Sequence, residues 1–202
     1  VGLSIKDIRK VINSFILFVL SILIINGQGF VLNNILTPKQ KQRVETLINP
    51  SSDPLGSGWN ITQSKIAIGS GGVFGKGFLK GTQTGLNFVP IQSTDFIFSV
   101  IGEEFGYLGS MIFIILYVIF LYRILILSEA QKDRFARVFG YSVFSIFLFH
   151  FTINVSMTLG LFPVIGIPLS LISYGGSSLL SFSLLLFVFL KLNGVKSAIL
   201  GR

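Results

Sequence analysis

Apolar residues along this chain gather into four long runs rather than alternating or recurring on a single helical face. They cover Val11 to Val31, Phe96 to Tyr122, Val138 to Leu161, and Ser177 to Leu192, the last extended backwards by Leu171 to Tyr174. Crossing the hydrocarbon core of a bilayer takes about 20 helical residues, so each run predicts a membrane-spanning helix. Spans are expected over 11–31, 96–122, 138–161 and 174–192, with a long polar connection, 32–95, between the first two. The expected fold class is an all-α membrane protein of four transmembrane helices with one large structured loop.

The polar connection carries its own pattern. Thr37-Pro38 opens a helix, with proline at the first helical position and Gln40 completing a capping box. Val44, Leu47 and Ile48 then form an apolar stripe opposite Lys41, Arg43 and Glu45, which suits a short helix lying on a membrane surface. Pro50 ends it, and Asp53-Pro54 and Gly56-Ser57-Gly58 signal turns. A second short helix is expected from Ile61 to Ile68, carrying Lys65 and stopping at Gly69. Gly69 to Gly81 then holds six glycines with Lys76 and Lys80.

Composition supports the membrane class. Hydrophobic residues make up 51% of the 202 positions and charged residues only 12%, about half the ~25% usual in soluble domains. No cysteine is present, which removes disulfides, thiolate metal sites and cysteine nucleophiles together. The formal charge of +8 comes from basic residues flanking the apolar runs rather than from one stripe, so it points to topology and anionic lipid and not to nucleic acid. Lys6, Arg9 and Lys10 precede the first span; Arg123, Lys132, Arg134 and Arg137 join the second to the third; Lys191, Lys196 and Arg202 follow the fourth. These are ten of the sixteen Lys and Arg residues. The positive-inside rule therefore places both termini on the cytoplasmic side and the loop 32–95 outside. The chain starts at Val1, almost directly before its first span, and is expected to be part of a longer protein.

Candidate chemistry concentrates where the loop meets the second span. Asp95, in Ser93-Thr94-Asp95-Phe96, sits at the water–hydrocarbon boundary, where partial desolvation improves a carboxylate as a proton acceptor. The same placement suits an ordinary helix N-cap. Glu103 and Glu104 lie two turns further on, with Glu103 near the face of Asp95. One of them is expected either to share a metal with Asp95 or to pair with a loop lysine. The glycine-rich stretch with its lysines could cradle phosphate or be a plain flexible loop. It is not a P-loop, because Ser70 stands where the first glycine belongs and Gly77 follows Lys76. His150, Asn154 and Thr158 share one helix face; a proton relay or, more simply, hydrogen bonding to neighbouring helices would explain them. Ser173 to Ser178, preceded by Pro163, Gly166 and Pro168, reads as a bent connection packed into the helix bundle.

Two blocks of residues then carry a resemblance. Asn154, Gly160-Leu161-Phe162-Pro163-Val164-Ile165-Gly166-Ile167-Pro168 and Leu171-Ile172-Ser173-Tyr174-Gly175-Gly176-Ser177-Ser178 resemble the signature of the RodA, FtsW and SpoVE family (shape, elongation, division and sporulation). Gln63-Ser64-Lys65 to Gly72, Gly75-Lys76-Gly77, Gly81-Thr82-Gln83 and Thr94-Asp95-Phe96 point the same way, and nearer to its RodA branch. The resemblance implies a ten-helix bundle in which these spans are helices seven to ten, in the bacterial cytoplasmic (inner) membrane. It implies a peptidoglycan glycosyltransferase that polymerises lipid II for cell elongation and rod shape, working with a class B penicillin-binding protein. Asp95 falls on the family's essential loop aspartate, as general base and as ligand of a divalent cation, Mg or Mn. Lys65, Lys76, Lys80, Thr94 and Glu103 are the expected substrate-binding residues. A lipid II flippase and a non-catalytic scaffold of the cell-wall machinery are the alternative expectations.

Overall fold

The computed structural model describes residues 36–200 except 55 and 87, with side chains to 194. The expected span 11–31 lies outside the described residues. The chain divides into two compact units, Val1–Glu45 and Thr46–Arg202, of which the second contains the long helices. No strand occurs among the described residues.

Helix α1, Pro38–Ile48, begins as its sequence directs. The Gln40 side chain accepts from the Thr37 amide at 2.9 Å, and the Gln40 amide donates back to Thr37 Oγ1 at 3.4 Å. Each satisfies a donor that a helix start otherwise leaves unpaired. A 3-10 turn, Pro50–Ser52, leads into α2, Ser57–Ser70. This second helix starts four residues earlier than its apolar pattern suggests. Asp53 Oδ2 accepts from the Ser57 amide at 2.9 Å and so caps it from outside. Gly58 lies against the preceding turn, where a Cβ would fall 2.0 Å from the Pro50 carbonyl oxygen. Ile61, Ser64 and Ala67 are buried on its inner face, and Lys65 is exposed.

After the single turn α3, Thr82–Gly85, come three helices long and apolar enough to cross a membrane. These are α4, Ile97–Glu129, α5, Arg134–Thr158, and α6, Gly176–Leu200. Asp133 caps α5 by accepting from the Ala136 amide at 3.1 Å. Helix α4 is not continuous: at Gly106 the backbone turns to φ 66°, ψ −162°, a conformation essentially reserved for glycine. The core between the long helices is aromatic. Tyr117 stacks on Phe151 with centroids 4.2 Å apart, and Phe147 packs edge-on to Phe120 at 5.4 Å. Leu121, Ile124, Val143, Leu169, Phe182 and Phe189 complete it. Ile112, Ile115, Leu116, Leu180, Leu184 and Phe187 are exposed on the outer faces, which suits contact with lipid tails.

Candidate functional site

Asp95 stands just before α4, on a turn formed when the Asp95 amide donates to the Ile91 carbonyl at 3.1 Å. Ile91 itself takes φ 53°, so the chain doubles back sharply before the helix. Fully buried Phe96 then anchors the next position, among Ala67, Val89 and half-buried Val164. What fixes the site is the connection between α5 and α6. Three successive carbonyls, those of Ser93, Thr94 and Asp95, each accept a hydrogen bond. The donors are the Tyr174 amide at 2.8 Å, Ser173 Oγ at 2.5 Å and Asn154 Nδ2 at 2.8 Å. Asn154 has no exposed surface, and its amide also donates to the Ile167 carbonyl at 2.8 Å. Ser173 Oγ in turn accepts from the Leu169 amide at 2.8 Å. The backbone of Ser93–Asp95 is thus held by the very block that carries the family signature. The Asp95 carboxylate remains half-buried and accepts no hydrogen bond among the described residues. A carboxylate without committed donors has its oxygens open to a ligand.

The side chains of the stripe on α5 hydrogen-bond, but to the α5–α6 connection, the turn before α4 and their own helix rather than to neighbouring helices. His150 Nδ1 lies 3.2 Å from the Pro168 carbonyl oxygen, and its ring stands edge-on to Phe182. Asn154 reaches Asp95 and Ile167, while Thr158 Oγ1 donates to the Val155 carbonyl at 2.8 Å. The Thr158 carbonyl accepts from Ser64 Oγ on α2 at 2.8 Å.

Glu103 and the glycine-rich loop form a separate constellation. Glu103 is fully buried. Its Oε1 accepts from Lys76 Nζ at 2.6 Å and from the amides of Thr82 and Gln83, both at 2.8 Å. Its Oε2 accepts from the Thr84 amide and Oγ1, also at 2.8 Å. Every partner is a donor, so the group is held as a carboxylate. The break at Gly106 supplies a second attachment. The amides of Lys76 and Gly77 donate to the carbonyls of Glu103 and Glu104 at 3.0 and 2.9 Å. Those of Tyr107 and Leu108 donate back to Gly72 and Val73 at 2.9 and 3.1 Å. Glycine is required for this approach, since a Cβ at Gly75 would lie 2.1 Å from the Glu104 carbonyl oxygen.

The expected site residues therefore fall into two groups. Thr94 and Asp95 are clasped by the α5–α6 connection. Lys76 and Glu103 pair with each other, which is one of the two arrangements anticipated for a carboxylate on α4. Among the described residues no group of three or more His, Asp or Glu side chains is arranged to hold a metal ion. The side chains of Lys65 and Lys80 are exposed and make no hydrogen bond among the described residues. Glu104 is buried and lines a cavity of about 290 Å³ with Thr84, Gln92 and Ser93. Asn154, Ser173 and Tyr174 had no assigned link to Asp95 in the sequence reading. Their signal was membership of the signature block, which does not say that the block reaches Asp95.

A family model of cell cycle proteins, FtsW/RodA/SpoVE, matches residues 2–197. The chain belongs to that family. Among its FtsW/RodA/SpoVE relatives, the peptidoglycan glycosyltransferase RodA of Treponema pallidum is 49% identical over 145 residues, covering 72% of this chain and 34% of the relative. The peptidoglycan glycosyltransferase MrdB of Escherichia coli is 48% identical over 141 residues, 70% of this chain and 38% of the relative. Stage V sporulation protein E of Bacillus subtilis is 36% identical over 156 residues, 77% and 42% respectively. The chain thus spans between a third and a half of the length of these FtsW/RodA/SpoVE proteins, and is RodA-like within the family. A chain from a solved peptidoglycan synthase complex, concerned with coordinating polymerization and crosslinking, superposes with a TM-score of 0.67 at 30% identity. That match covers 89% of this chain and 48% of the other.

Proposed function

We propose that this RodA-like family member is a peptidoglycan glycosyltransferase that polymerises lipid II at the outer face of the bacterial cytoplasmic membrane. The relatives named peptidoglycan glycosyltransferases support the activity. The observation that carries it to a residue is the clasp on three consecutive carbonyls, which fixes the Asp95 backbone while leaving its carboxylate uncommitted. In the proposed reaction the acceptor sugar's 4-hydroxyl gives its proton to Asp95 as its oxygen bonds to the anomeric carbon of the donor. The bond from that carbon to the pyrophosphate oxygen breaks, and undecaprenyl pyrophosphate leaves with the electron pair. General-base assistance of this kind contributes about 10²–10⁴-fold.

Lys65 and Lys80, whose exposed side chains have no hydrogen-bond partner among the described residues, are the proposed pyrophosphate contacts. Lys76 is bound to Glu103 and serves first to hold the loop. A divalent cation, Mg or Mn, would fit Asp95, whose carboxylate has no committed donor; Glu103, saturated by its own donors, would not bind it or substrate directly. When bound, such a cation supplies positive charge to the departing pyrophosphate. The orientation proposed is both termini cytoplasmic and loop 32–95 outside, in four spans corresponding to helices seven to ten of ten. A class B penicillin-binding protein is the proposed partner, in line with the synthase complex that the fold resembles. A flippase needs polar groups open along a path through the bilayer, whereas His150 and Asn154 are engaged with backbone carbonyls. The test is polymerisation of purified lipid II by the full-length protein carrying Asp95→Ala. Loss of glycan polymer with a folded protein is expected; undiminished polymer would remove the proposal.

A further inference from the structure

Two charged side chains of the proposed site rest on glycines of one connection. Gly160 and Gly166, between α5 and α6, both have left-handed backbone, φ 68° and 74°. A Cβ at Gly160 would lie 2.2 Å from Lys65 Cε and 2.5 Å from its Nζ, with Ile61 Cγ2 further off at 3.0 Å. A Cβ at Gly166 would lie 3.1 Å from Asp95 Oδ2. Left-handed backbone alone does not demand glycine here, because Leu171 in the same connection holds φ 68° with a full side chain. The missing Cβ at these two positions is space that a charge occupies.

We propose that Gly160 and Gly166 are positioning residues, seats that set where the Lys65 ammonium and the Asp95 carboxylate stand on one shared backbone. This rests on the reading of Asp95 as base and Lys65 as pyrophosphate contact. The connection is tied to both charged elements. Asn154 bridges the carbonyls of Asp95 and Ile167, next to Gly166. Ser64, next to Lys65, donates to the Thr158 carbonyl two residues before Gly160. A base on the loop end and a cation on α2 are therefore referred to a single strap, which fixes their separation although they lie thirty positions apart in sequence.

The two seats differ in what a methyl group would do. At Gly166 the neighbour is a short carboxylate on a clasped backbone, so Gly166→Ala must shift the reacting oxygen itself. A misplacement of about 1 Å costs ~10²-fold in rate, and a few tenths of that shift costs correspondingly less. At Gly160 the neighbour is the far end of a flexible lysine, which swings away while the backbone stays.

Steady-state polymerisation by the full-length protein, with lipid II varied, separates them. Gly166→Ala is expected to lower kcat by about tenfold with KM little changed. Gly160→Ala is expected to raise KM several-fold with kcat retained, and to lose most of that effect once Lys65→Ala has removed the nearest atoms it displaces, leaving Ile61 Cγ2 at 3.0 Å. That double variant removes the two closest contacts and keeps the comparison open if Gly160→Ala alone folds poorly. Gly72→Ala, at φ 59° with nothing within 4 Å of the added atom, reports left-handed strain by itself. Glycine variants that match Gly72→Ala, or a Gly160→Ala effect that persists in full on the Lys65→Ala background, would overturn the seats while Asp95→Ala remains inactive. Wild-type polymerisation by Asp95→Ala would instead remove the reading of the site, and the seats with it.

Discussion

Glu103 shows how one side chain can organise a loop. A glutamate inside an apolar helix is costly unless its oxygens are fully used. Here they take the Lys76 ammonium and three successive amides, those of Thr82, Gln83 and Thr84, with hydroxyls from Thr82 and Thr84 besides. Glu103→Gln would turn an amide NH₂ toward donors and leave Lys76 half-buried without its counter-charge. The expected cost is about 2–3 kcal/mol of folding stability, discounted because Lys76 keeps 26% of its side-chain surface in solvent. Thermal unfolding of the full-length protein in detergent checks this, with a clear fall in Tm expected. An unchanged Tm would mean that the clasp carries no weight.

At the scale of elements, the break in α4 matters most. Uninterrupted, the helix would use the carbonyls of Glu103 and Glu104 internally; broken at Gly106, it offers them to the loop 71–77. Gly106→Ala would force a Cβ to within 2.3 Å of the Gly75 amide nitrogen, at a φ of 66°. Detachment of the loop is the expected result, seen as faster proteolytic cleavage between residues 71 and 86 than in the unmodified protein. Equal cleavage rates would show that the loop is held elsewhere.

This break was not legible in the sequence, where Gly106 sits in a long apolar run and reads as a tolerated helical glycine. The start of α1 was legible, because its capping box is local to Thr37 and Gln40. The start of α2 was not, because its cap comes from Asp53, beyond the apolar pattern. Asp95 was placed correctly at the head of a long apolar helix by hydropathy alone. Its clasp was invisible, since Asn154 and Ser173 reach back across 59 and 79 residues to meet the carbonyls of Asp95 and Thr94. Pairing of Glu103 with a loop lysine could be anticipated from charge and depth; which lysine, and the three amides beside it, required the fold.

At the scale of the whole molecule, three apolar helices among the described residues and the family assignment make this a multi-pass membrane protein. Its proposed orientation exposes the loop 32–95 to the outside and the α4–α5 turn to the cytoplasm. Because the chain has no cysteine, single cysteines introduced at exposed Ser51 and Lys132 are clean reporters. In intact cells a membrane-impermeant maleimide is expected to label Ser51→Cys and to spare Lys132→Cys until the membrane is opened. The reverse pattern would place Asp95 on the wrong side for lipid-linked sugar. The central claim, a boundary carboxylate that accepts the acceptor's proton, is tested most directly by Asp95→Asn in the full-length protein, with lipid II binding and polymerisation measured on the same preparation. Binding within about threefold of the unmodified protein, with turnover reduced about 10²–10⁴-fold, is the expected result. Polymer formed at the unmodified rate, or binding lost in parallel with turnover, would contradict it.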